Sequence, residues 1–165
     1  VGWWHVIAIN SICQYVGSCR ERSKQMRWLR ADLNAHAARC TLAYWHHPRF
    51  SSGDGASRRR TSWMWQALYA AGADVVLNGH DHDYERFAPL DPDGHPDAAR
   101  GIRQFVVGTG GAHLTDRLRV ARNSEIWTNK YHGVLELTLR RLGYSWRFTA
   151  AETGEVIDSG SGRCH

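Results

Sequence analysis

The sequence has no apolar run near the roughly 20 residues that a membrane-spanning helix needs, so we expect no membrane segment. Internal repeats and low-complexity stretches are also absent, which excludes repeat architectures. The 165 residues, 42% of them hydrophobic, are enough for one core, but they leave no room for two full domains. We therefore predict a single soluble, globular unit over residues 1–165.

The sequence also lacks a recognisable nucleic-acid reader motif. Its formal net charge is +5, from 21 basic and 16 acidic residues, and this charge favours anionic partners. Nucleic-acid binders usually combine clustered lysine and arginine residues with a reader motif. The one basic cluster here is Arg58–Arg60, in a predicted loop. Phosphorylated small molecules are therefore favoured over nucleic acid as partners.

Four cysteines, at positions 13, 19, 40 and 164, allow three disulfide pairings. We predict Cys13–Cys19, because the short Gly-containing stretch between them can close a small loop. We also predict Cys40–Cys164, because that bond would fasten the end of the chain. The cysteine spacing fits no zinc finger or ribbon. Two disulfides indicate an oxidising compartment, so we expect a secreted or extracytoplasmic protein.

Hydrophobic periodicity and turn residues predict an alternation of strands and helices. The chain opens on an apparent strand with no leader or initiator Met, from which we expect it to begin inside a longer protein. Ser23 is expected to cap the first helix, with Met26, Leu29 and Leu33 on its buried stripe. The predicted elements are a strand at 1–9, a helix at 23–39, a strand at 40–45, a helix at 62–71 buried through Trp65, Leu68 and Tyr69, and strands at 74–77, 102–107, 133–139, 144–149 and 156–157.

This order of elements, βαβαβ followed by more strands, predicts an α/β fold. We expect a mixed sheet flanked by helices, continued by antiparallel strands at the C-terminal end. The segment 117–130 shows no regular pattern and is expected to be irregular. Half of a layered sandwich would have this composition of elements.

Three histidines follow the predicted strands. His80 and His82 lie two residues apart after one strand, and His46 follows the preceding strand. Strands joined by a crossover helix usually lie side by side, which would bring the three imidazoles together as nitrogen ligands of a metal. On the residues alone, His47 is as good a nitrogen donor as His46.

Two segments resemble the last two motifs of calcineurin-like metallophosphoesterases, in particular the purple acid phosphatase-like branch. They are Leu42–Pro48, which reads LAYWHHP, and Asn78–Arg86, which reads NGHDHDYER. The resemblance implies the C-terminal portion of a layered metallophosphoesterase domain. In that family a His-x-Pro histidine is the ligand, which selects His46. It implies further that His46 and His80 share one ion and that His82 binds the other.

The resemblance also implies an activity, the hydrolysis of phosphate esters, as in acid phosphatases, at a dinuclear centre. The two divalent or trivalent ions would be iron, zinc or manganese. Asp81, Asp83 and Glu85 would orient the ligand imidazoles, and Arg49, with Arg58–Arg60, is a candidate phosphate contact. Gly108–Gly111 resembles the glycine turn behind the family's site.

The family's Asp-x-His, Gly-Asp and Gly-Asn-His motifs do not precede these segments. Gly53-Asp54 and Asp93-Gly94-His95 match short pieces of them in the wrong order, and we reject both as ligands. We therefore expect the remaining ligands to come from a missing N-terminal half of the domain. The chain alone should bind a single metal weakly and show negligible phosphatase activity. The alternative is a non-catalytic remnant of the fold that binds anions or a protein.

Overall fold

The computed structural model describes residues 2–53 and 59–165. Arg58 of the basic cluster and Asp54 of the rejected Gly53-Asp54 pair lie outside these residues. Two helices and nine strands occur within the described ranges. In chain order they are β1 (Trp4–Ala8), α1 (Lys24–Ala35), β2 (Cys40–Tyr44), α2 (Ser62–Ala70), β3 (Val75–Asn78), β4 (Tyr84–Phe87), β5 (Arg103–Val107), β6 (Ser124–Thr128), β7 (Gly133–Arg140), β8 (Gly143–Ala150) and β9 (Val156–Arg163).

Six strands form a mixed sheet in the order β1-β2-β3-β5-β4-β6. β1, β2, β3 and β5 run parallel to one another, whereas β4 pairs antiparallel with β5 and β6. The crossovers from β1 to β2 and from β2 to β3 carry α1 and α2. The predicted α/β class with a mixed sheet is confirmed.

The last three strands form a separate antiparallel sheet in the order β7-β8-β9. The predicted pairing of the first two is confirmed, with Arg140 opposite Gly143 at the turn. The final strand runs through eight residues and is longer than the predicted two-residue strand. Its Ser/Gly-rich sequence carries little β signal by itself, and cross-strand pairing with β8 extends it.

Alternating side chains of the parallel strands supply two hydrophobic cores. Ala43, Val76 and Val106 pack with the helices. Their strand neighbours Leu42, Val75 and Phe105 pack with Tyr144, Trp146 and Phe148 of the second sheet, because successive side chains point to opposite faces. The helices, the mixed sheet and the antiparallel sheet therefore form three layers, and the strands of the middle layer are apolar on both faces.

The helix boundaries differ slightly from prediction. Ser23 caps α1 as predicted, its side chain accepting a hydrogen bond from the amide of Met26. The helix ends at Ala35 and not near Arg39, because its apolar stripe stops at Leu33 and the residues beyond it are exposed. In α2 the buried set contains Met64. Tyr69, predicted to be buried, is only partly so.

Two strands were not predicted. β4 lies in the polar run after His82, and β6 lies in the segment expected to be irregular. Their polar residues have partners far away in the chain: Glu85 is hydrogen-bonded by Ser52, and Arg86 donates to Asp158. Local periodicity cannot reveal such partners, so the charge-rich sequence of β4 shows no strand pattern.

Both predicted disulfides are formed. The Cα atoms are 5.1 Å apart for Cys13–Cys19 and 5.4 Å apart for Cys40–Cys164, the second joining the start of β2 to the residue that follows β9. Within the described residues, no helix has the length and apolar character needed to cross a bilayer.

Candidate metal centre

His46 and His80 meet at the carboxyl ends of two neighbouring parallel strands. β2 and β3 are paired up to Tyr44 and Leu77, and the pairing continues beyond them through the Gly79 amide, which donates to the carbonyl of His46 (3.0 Å). This places Nε2 of His46 3.4 Å from Nδ1 of His80. The predicted convergence is therefore present for His46 and His80, but the group of three closely spaced ligand residues contains His47 in place of His82.

His47 lies in the same cluster. Its ring centroid is 4.5 Å from that of His80 and 4.8 Å from that of His46. One potential ligand atom from each of the three histidines lies within 4.8 Å of the others. Ser11 fixes His47, since its hydroxyl oxygen lies 2.9 Å from Nδ1 and accepts from the His47 amide at 3.0 Å.

His82 is oriented by a backbone carbonyl. Its Nδ1 lies 2.8 Å from the carbonyl oxygen of His113, and a carbonyl can only accept, so Nδ1 is the donor. In a neutral ring the lone pair is then on Nε2, which is the arrangement found in metal-binding histidines whose other nitrogen is held by a carbonyl. The Thr115 amide also donates to the carbonyl of His82 (3.1 Å), tying residues 113–115 to this loop.

Burial and the neighbouring rings lower the pKa values of both imidazoles that follow β2. Partial burial lowers the pKa of His46, and the nearby His80 and His82 lower it further. Burial is also the main cause of the lowered pKa of His47, followed by His80 and His46. Mutual repulsion of protonated rings therefore favours unprotonated nitrogens, which are the form that binds cations.

The backbone at His80 is in the left-handed region, with φ of 70°. Few non-glycine residues adopt this conformation, although His does so more often than most. A left-handed residue costs about 1–2 kcal/mol relative to the right-handed region, and such residues concentrate at functional sites. The conformation turns the ring of His80 toward the end of β2.

Three carboxylates in the histidine loop and at the start of β4 accept hydrogen bonds from neighbouring segments. Asp81 accepts a hydrogen bond from the Ser51 hydroxyl, and Glu85 accepts one from the Ser52 amide (2.8 Å). Both anchor the chain that follows His46. Asp83 accepts from the indole of Trp127 (2.7 Å). These contacts position the loops, and whether the carboxylates also orient the imidazoles stays a prediction.

Burial makes Asp83 a weak acid. It is fully buried, and this burial raises its pKa to about 7, opposed by the Trp127 hydrogen bond and assisted by Glu85 and Asp81. Its Oδ1 and the Oδ1 of Asn78 are buried oxygens without a hydrogen-bond partner in the described part of the chain. Oxygens that could accept further bonds therefore flank both ends of the loop.

Arg49, the candidate phosphate contact, lies beside the 91–95 loop. Its Nη2 donates to the carbonyl of Pro92 (2.9 Å), and its guanidinium carbon is 4.9 Å from the ring centroid of Phe50. Burial lowers the pKa of Arg49, and Asp93 acts against that shift. The guanidinium is therefore held in part by protein, and a role in phosphate binding stays a prediction.

The chain resembles known proteins in sequence and in fold. Purple acid phosphatase 21 of Arabidopsis thaliana is 28% identical over 171 residues, covering 93% of this chain and 37% of the relative. Purple acid phosphatase 15 of the same plant is 33% identical over 121 residues, covering 67% and 21%. The solved purple acid phosphatase PPD1 from yellow lupin (Lupinus luteus) seeds superposes with a TM-score of 0.81 at 17% identity, covering 96% of this chain and 31% of that one.

This chain is similar to purple acid phosphatases. The resemblance drawn from the two histidine motifs is thereby confirmed. GAP50, described as the anchor in the inner membrane complex of Plasmodium, also shares the fold, with a TM-score of 0.76 at 19% identity over 98% of this chain and 50% of that one. No protein-family model matches the chain.

The purple acid phosphatase-like chain spans a minority of each curated relative that it matches, between 21% and 37% of their length. The activity of a whole purple acid phosphatase is therefore a proposal for this chain. The comparisons do not favour the alternative of a non-catalytic remnant.

Two supports of the site in this purple acid phosphatase-like chain lie outside the sequence motifs. Ser11 and the carbonyl of His113 hold two of the histidines, but neither belongs to a motif. By residue type His47 is as good a nitrogen donor as His46, and only the family resemblance selects His46. The structure brings both imidazoles next to that of His80. The position of His47 shortly after the end of β2 is the sequence feature that indicates its place in the cluster.

Proposed function

We propose that this chain supplies the histidine ligands of a dinuclear metal centre that hydrolyses phosphate esters. The observation that carries the proposal is the meeting of His46 and His80 at the ends of β2 and β3, with ring nitrogens 3.4 Å apart. The sequence similarity to purple acid phosphatases supports the reaction class.

The residues present fit metal ions. His46, His47 and His80 offer ligand atoms within 4.8 Å of one another. In His82 the nitrogen Nε2 stays available because Nδ1 donates to the carbonyl of His113. Imidazole nitrogens suit iron, zinc or manganese. Ions held by these histidines would supply Lewis-acid chemistry for the hydrolysis of a phosphate ester.

We assign His46 and His80 to one ion and His82 to the other. The short distance between the first two supports their sharing an ion, and the hydrogen bond from His82 to a carbonyl directs that ring separately. His47, fixed by Ser11, adjoins the first pair. Asp81, Asp83 and Glu85 are proposed to keep these rings in place through the loops that they anchor.

Arg49 is proposed to contact the phosphate group of the substrate. A guanidinium is planar, and its forked N–H donors match the geometry of a phosphate group. A further cluster, Arg59 and Arg60, is exposed. A positive charge near the site attracts phosphorylated substrates at long range.

The carboxylate ligands are proposed to come from a segment outside these 165 residues. Among the described strands, β1 is at the edge of the mixed sheet and pairs only with β2. An edge of this kind accepts another strand, so a preceding segment can extend the sheet there. The two disulfides support an extracytoplasmic location for the assembled protein.

Metal binding by the chain is tested by titrating the 15N-labelled protein with Zn²⁺ and following the imidazole nitrogens by NMR. The signals of His46 and His80 should shift together. His80→Ala should weaken this response at least about tenfold. His95→Ala is the matched control, because His95 is 70% exposed and contacts Asp91. Unchanged His46 and His80 signals in millimolar zinc would contradict the proposal.

Activity is tested on the longer protein encoded with the natural upstream sequence. It should hydrolyse p-nitrophenyl phosphate, and His46→Ala or His80→Ala should lower kcat/KM at least about a hundredfold. His95→Ala should leave it unchanged. Full activity in both ligand variants would overturn the assignment, and the 165-residue chain alone should show negligible turnover.

A further inference from the structure

A second group of metal-ligating side chains lies between β1 and α1. His5 is in the amino-terminal half of β1, opposite Thr41 of β2, whereas His46 follows the carboxyl end of β2. Five residues of extended chain separate Thr41 from His46, or about 16 Å at 3.3 Å per residue. This second group is therefore spatially separate from the centre described above.

Asp32 stands between two imidazoles. Its Oδ2 is 2.9 Å from Nε2 of His5, and its Oδ1 is 3.1 Å from Nδ1 of His36. Asp32 lies in the last turn of α1, and His36, four residues later, is the residue that caps the carboxyl end of the helix. The strand contributes the third residue, so the group forms where helix and sheet pack together.

The three side chains are close enough to reach one ion. Ligand atoms bound about 2.0–2.1 Å from a zinc ion at tetrahedral angles lie about 3.3 Å from one another. The nitrogens of His5 and His36 lie 2.9 and 3.1 Å from different oxygens of Asp32, and Nδ1 of His36 is also 3.1 Å from the Asp32 carbonyl. One ligand atom from each of the three residues lies within 4.8 Å of the others. Small side-chain shifts would direct all three toward one ion.

The group borders open space. A cleft of about 840 Å³ is lined by His5, Asp32 and His36 together with Trp3, Arg39 and Arg141. The ring of His36 is 64% exposed, so it can rotate toward an ion without displacing packed atoms. An ion held by three protein ligands would keep a coordination position open to the cleft, where water or a small anion can bind.

We propose that His5, Asp32 and His36 bind one divalent transition-metal ion of the zinc class, independently of the His46–His80 centre. Two imidazoles and one carboxylate suit Zn²⁺, Ni²⁺ or Cu²⁺. Mg²⁺ and Ca²⁺ require mostly oxygen ligands and are excluded. The competing interpretation is a hydrogen-bonded link between strand and helix that has no metal affinity.

The chain contains a matched control. Asp91 and His95 have the same i, i+4 spacing, a similar separation of 3.2 Å and similar exposure. They belong to no group of three potential ligands in the described residues. If an Asp–His pair alone bound zinc, both pairs would respond equally.

The test is a Zn²⁺ titration of the 15N-labelled chain, with the ring nitrogens of His5, His36 and His95 resolved by NMR. The signals of His5 and His36 should shift together and saturate at one equivalent for this site, whereas those of His95 should not follow. Mg²⁺ should leave all three unchanged. His5 and His36 signals that do not move in millimolar zinc would overturn the proposal without any variant.

Variants separate this site from the other centre. His36→Ala, at an exposed position, should weaken the His5 response at least about tenfold, and His95→Ala should not alter it. His46→Ala should abolish the response at His80 and leave that at His5 unchanged. Loss of the His5 response in His46→Ala would show a single shared site, and a full His5 response in His36→Ala would remove His36 from the ligand set.

Discussion

An ideal Cβ built on Gly108 would lie 1.9 Å from the carbonyl oxygen of Asp81, and it would also lie 3.0 Å from the Cα of His82. Real side chains do not approach backbone so closely. The end of β5 thus packs directly against the loop that carries His80 and His82, and the Gly108 amide donates to the carbonyl of Asp83 (2.9 Å). Glycine at this position allows the histidine loop to rest on the sheet.

Gly108→Ala should displace the loop and lower the free energy of unfolding by about 1–3 kcal/mol, as overpacking does. Urea denaturation measures the stability, and the ring signals of His80 and His82 report the displacement. Gly110→Ala is the control, because an added Cβ there meets no atom within 4 Å. Equal stability of the two variants would show that the loop adjusts without cost.

His80→Gly should be more stable than His80→Ala by about 0.5–1 kcal/mol. Both variants lose the imidazole ring, so the difference between their free energies of unfolding reports the cost of the left-handed backbone conformation. Relief of the left-handed strain of about 1–2 kcal/mol exceeds the entropic cost of glycine, about 0.4–1 kcal/mol. Thermal unfolding of both proteins measures it. Asn123, also left-handed with φ of 63°, calibrates the test, and opposite signs at the two positions would contradict the strain argument.

Asp158 joins the two sheets. It accepts hydrogen bonds from the Tyr84 hydroxyl (2.6 Å), the Arg86 Nε (2.7 Å) and the Trp146 indole (3.0 Å). Burial alone would raise the pKa of Asp158, but the hydrogen bonds and the charge of Arg86 outweigh it and the pKa is lowered. The ionised carboxylate is therefore stabilised in the folded state.

Asp158→Asn should lower the free energy of unfolding at pH 7 by about 1.5–3 kcal/mol, the range for hydrogen bonds to a charged group. A lowered folded-state pKa contributes stability above the unfolded value, near pH 4, and loses it as pH falls through the folded value. The difference between the variant and the natural protein should thus shrink below about pH 4. Denaturation at several pH values measures this.

The exposed pair of Arg147 and Glu136 provides the comparison for Asp158, since Glu136→Gln should change stability little. A gap between Asp158→Asn and the natural protein that stays constant into strong acid would show that the carboxylate charge contributes nothing.

The two disulfides should differ in their effect on stability. Their sequence separations are 6 and 124 residues, and the chain-entropy relation assigns the longer loop about 2.5 kcal/mol more stabilisation. Cys40→Ala with Cys164→Ala should therefore destabilise the protein more than Cys13→Ala with Cys19→Ala. The denaturant midpoints of the two double variants measure this difference in stability. A greater loss in the Cys13 and Cys19 variant would show that local packing outweighs the loop entropy.

The elements that the sequence revealed are those whose partners are local. The apolar stripe of Met26, Leu29 and Leu33 and the cap at Ser23 define a helix within one segment. The antiparallel hairpin at Leu142-Gly143 is also local. These features were predictable from periodicity and turn chemistry.

The remaining elements depend on distant residues. β4 carries charge that is buried only because Ser52 and Asp158 provide hydrogen bonds, so its pattern resembles a loop. In the site, the meeting of His46 and His80 followed from adjacent parallel strands. The contacts of Ser11 with His47 and of the His113 carbonyl with His82 could not be predicted from the sequence, because irregular loops bring these atoms together.

The bond between Cys40 and Cys164 closes residues 40–164 of the purple acid phosphatase-like chain into a covalent ring. His46, His80 and His82 all lie between the two cysteines in the chain. A single proteolytic cut anywhere inside the ring therefore yields two pieces that remain one molecule until a reductant is added. Cleavage within the ring would therefore leave His46, His80 and His82 in one covalently linked molecule.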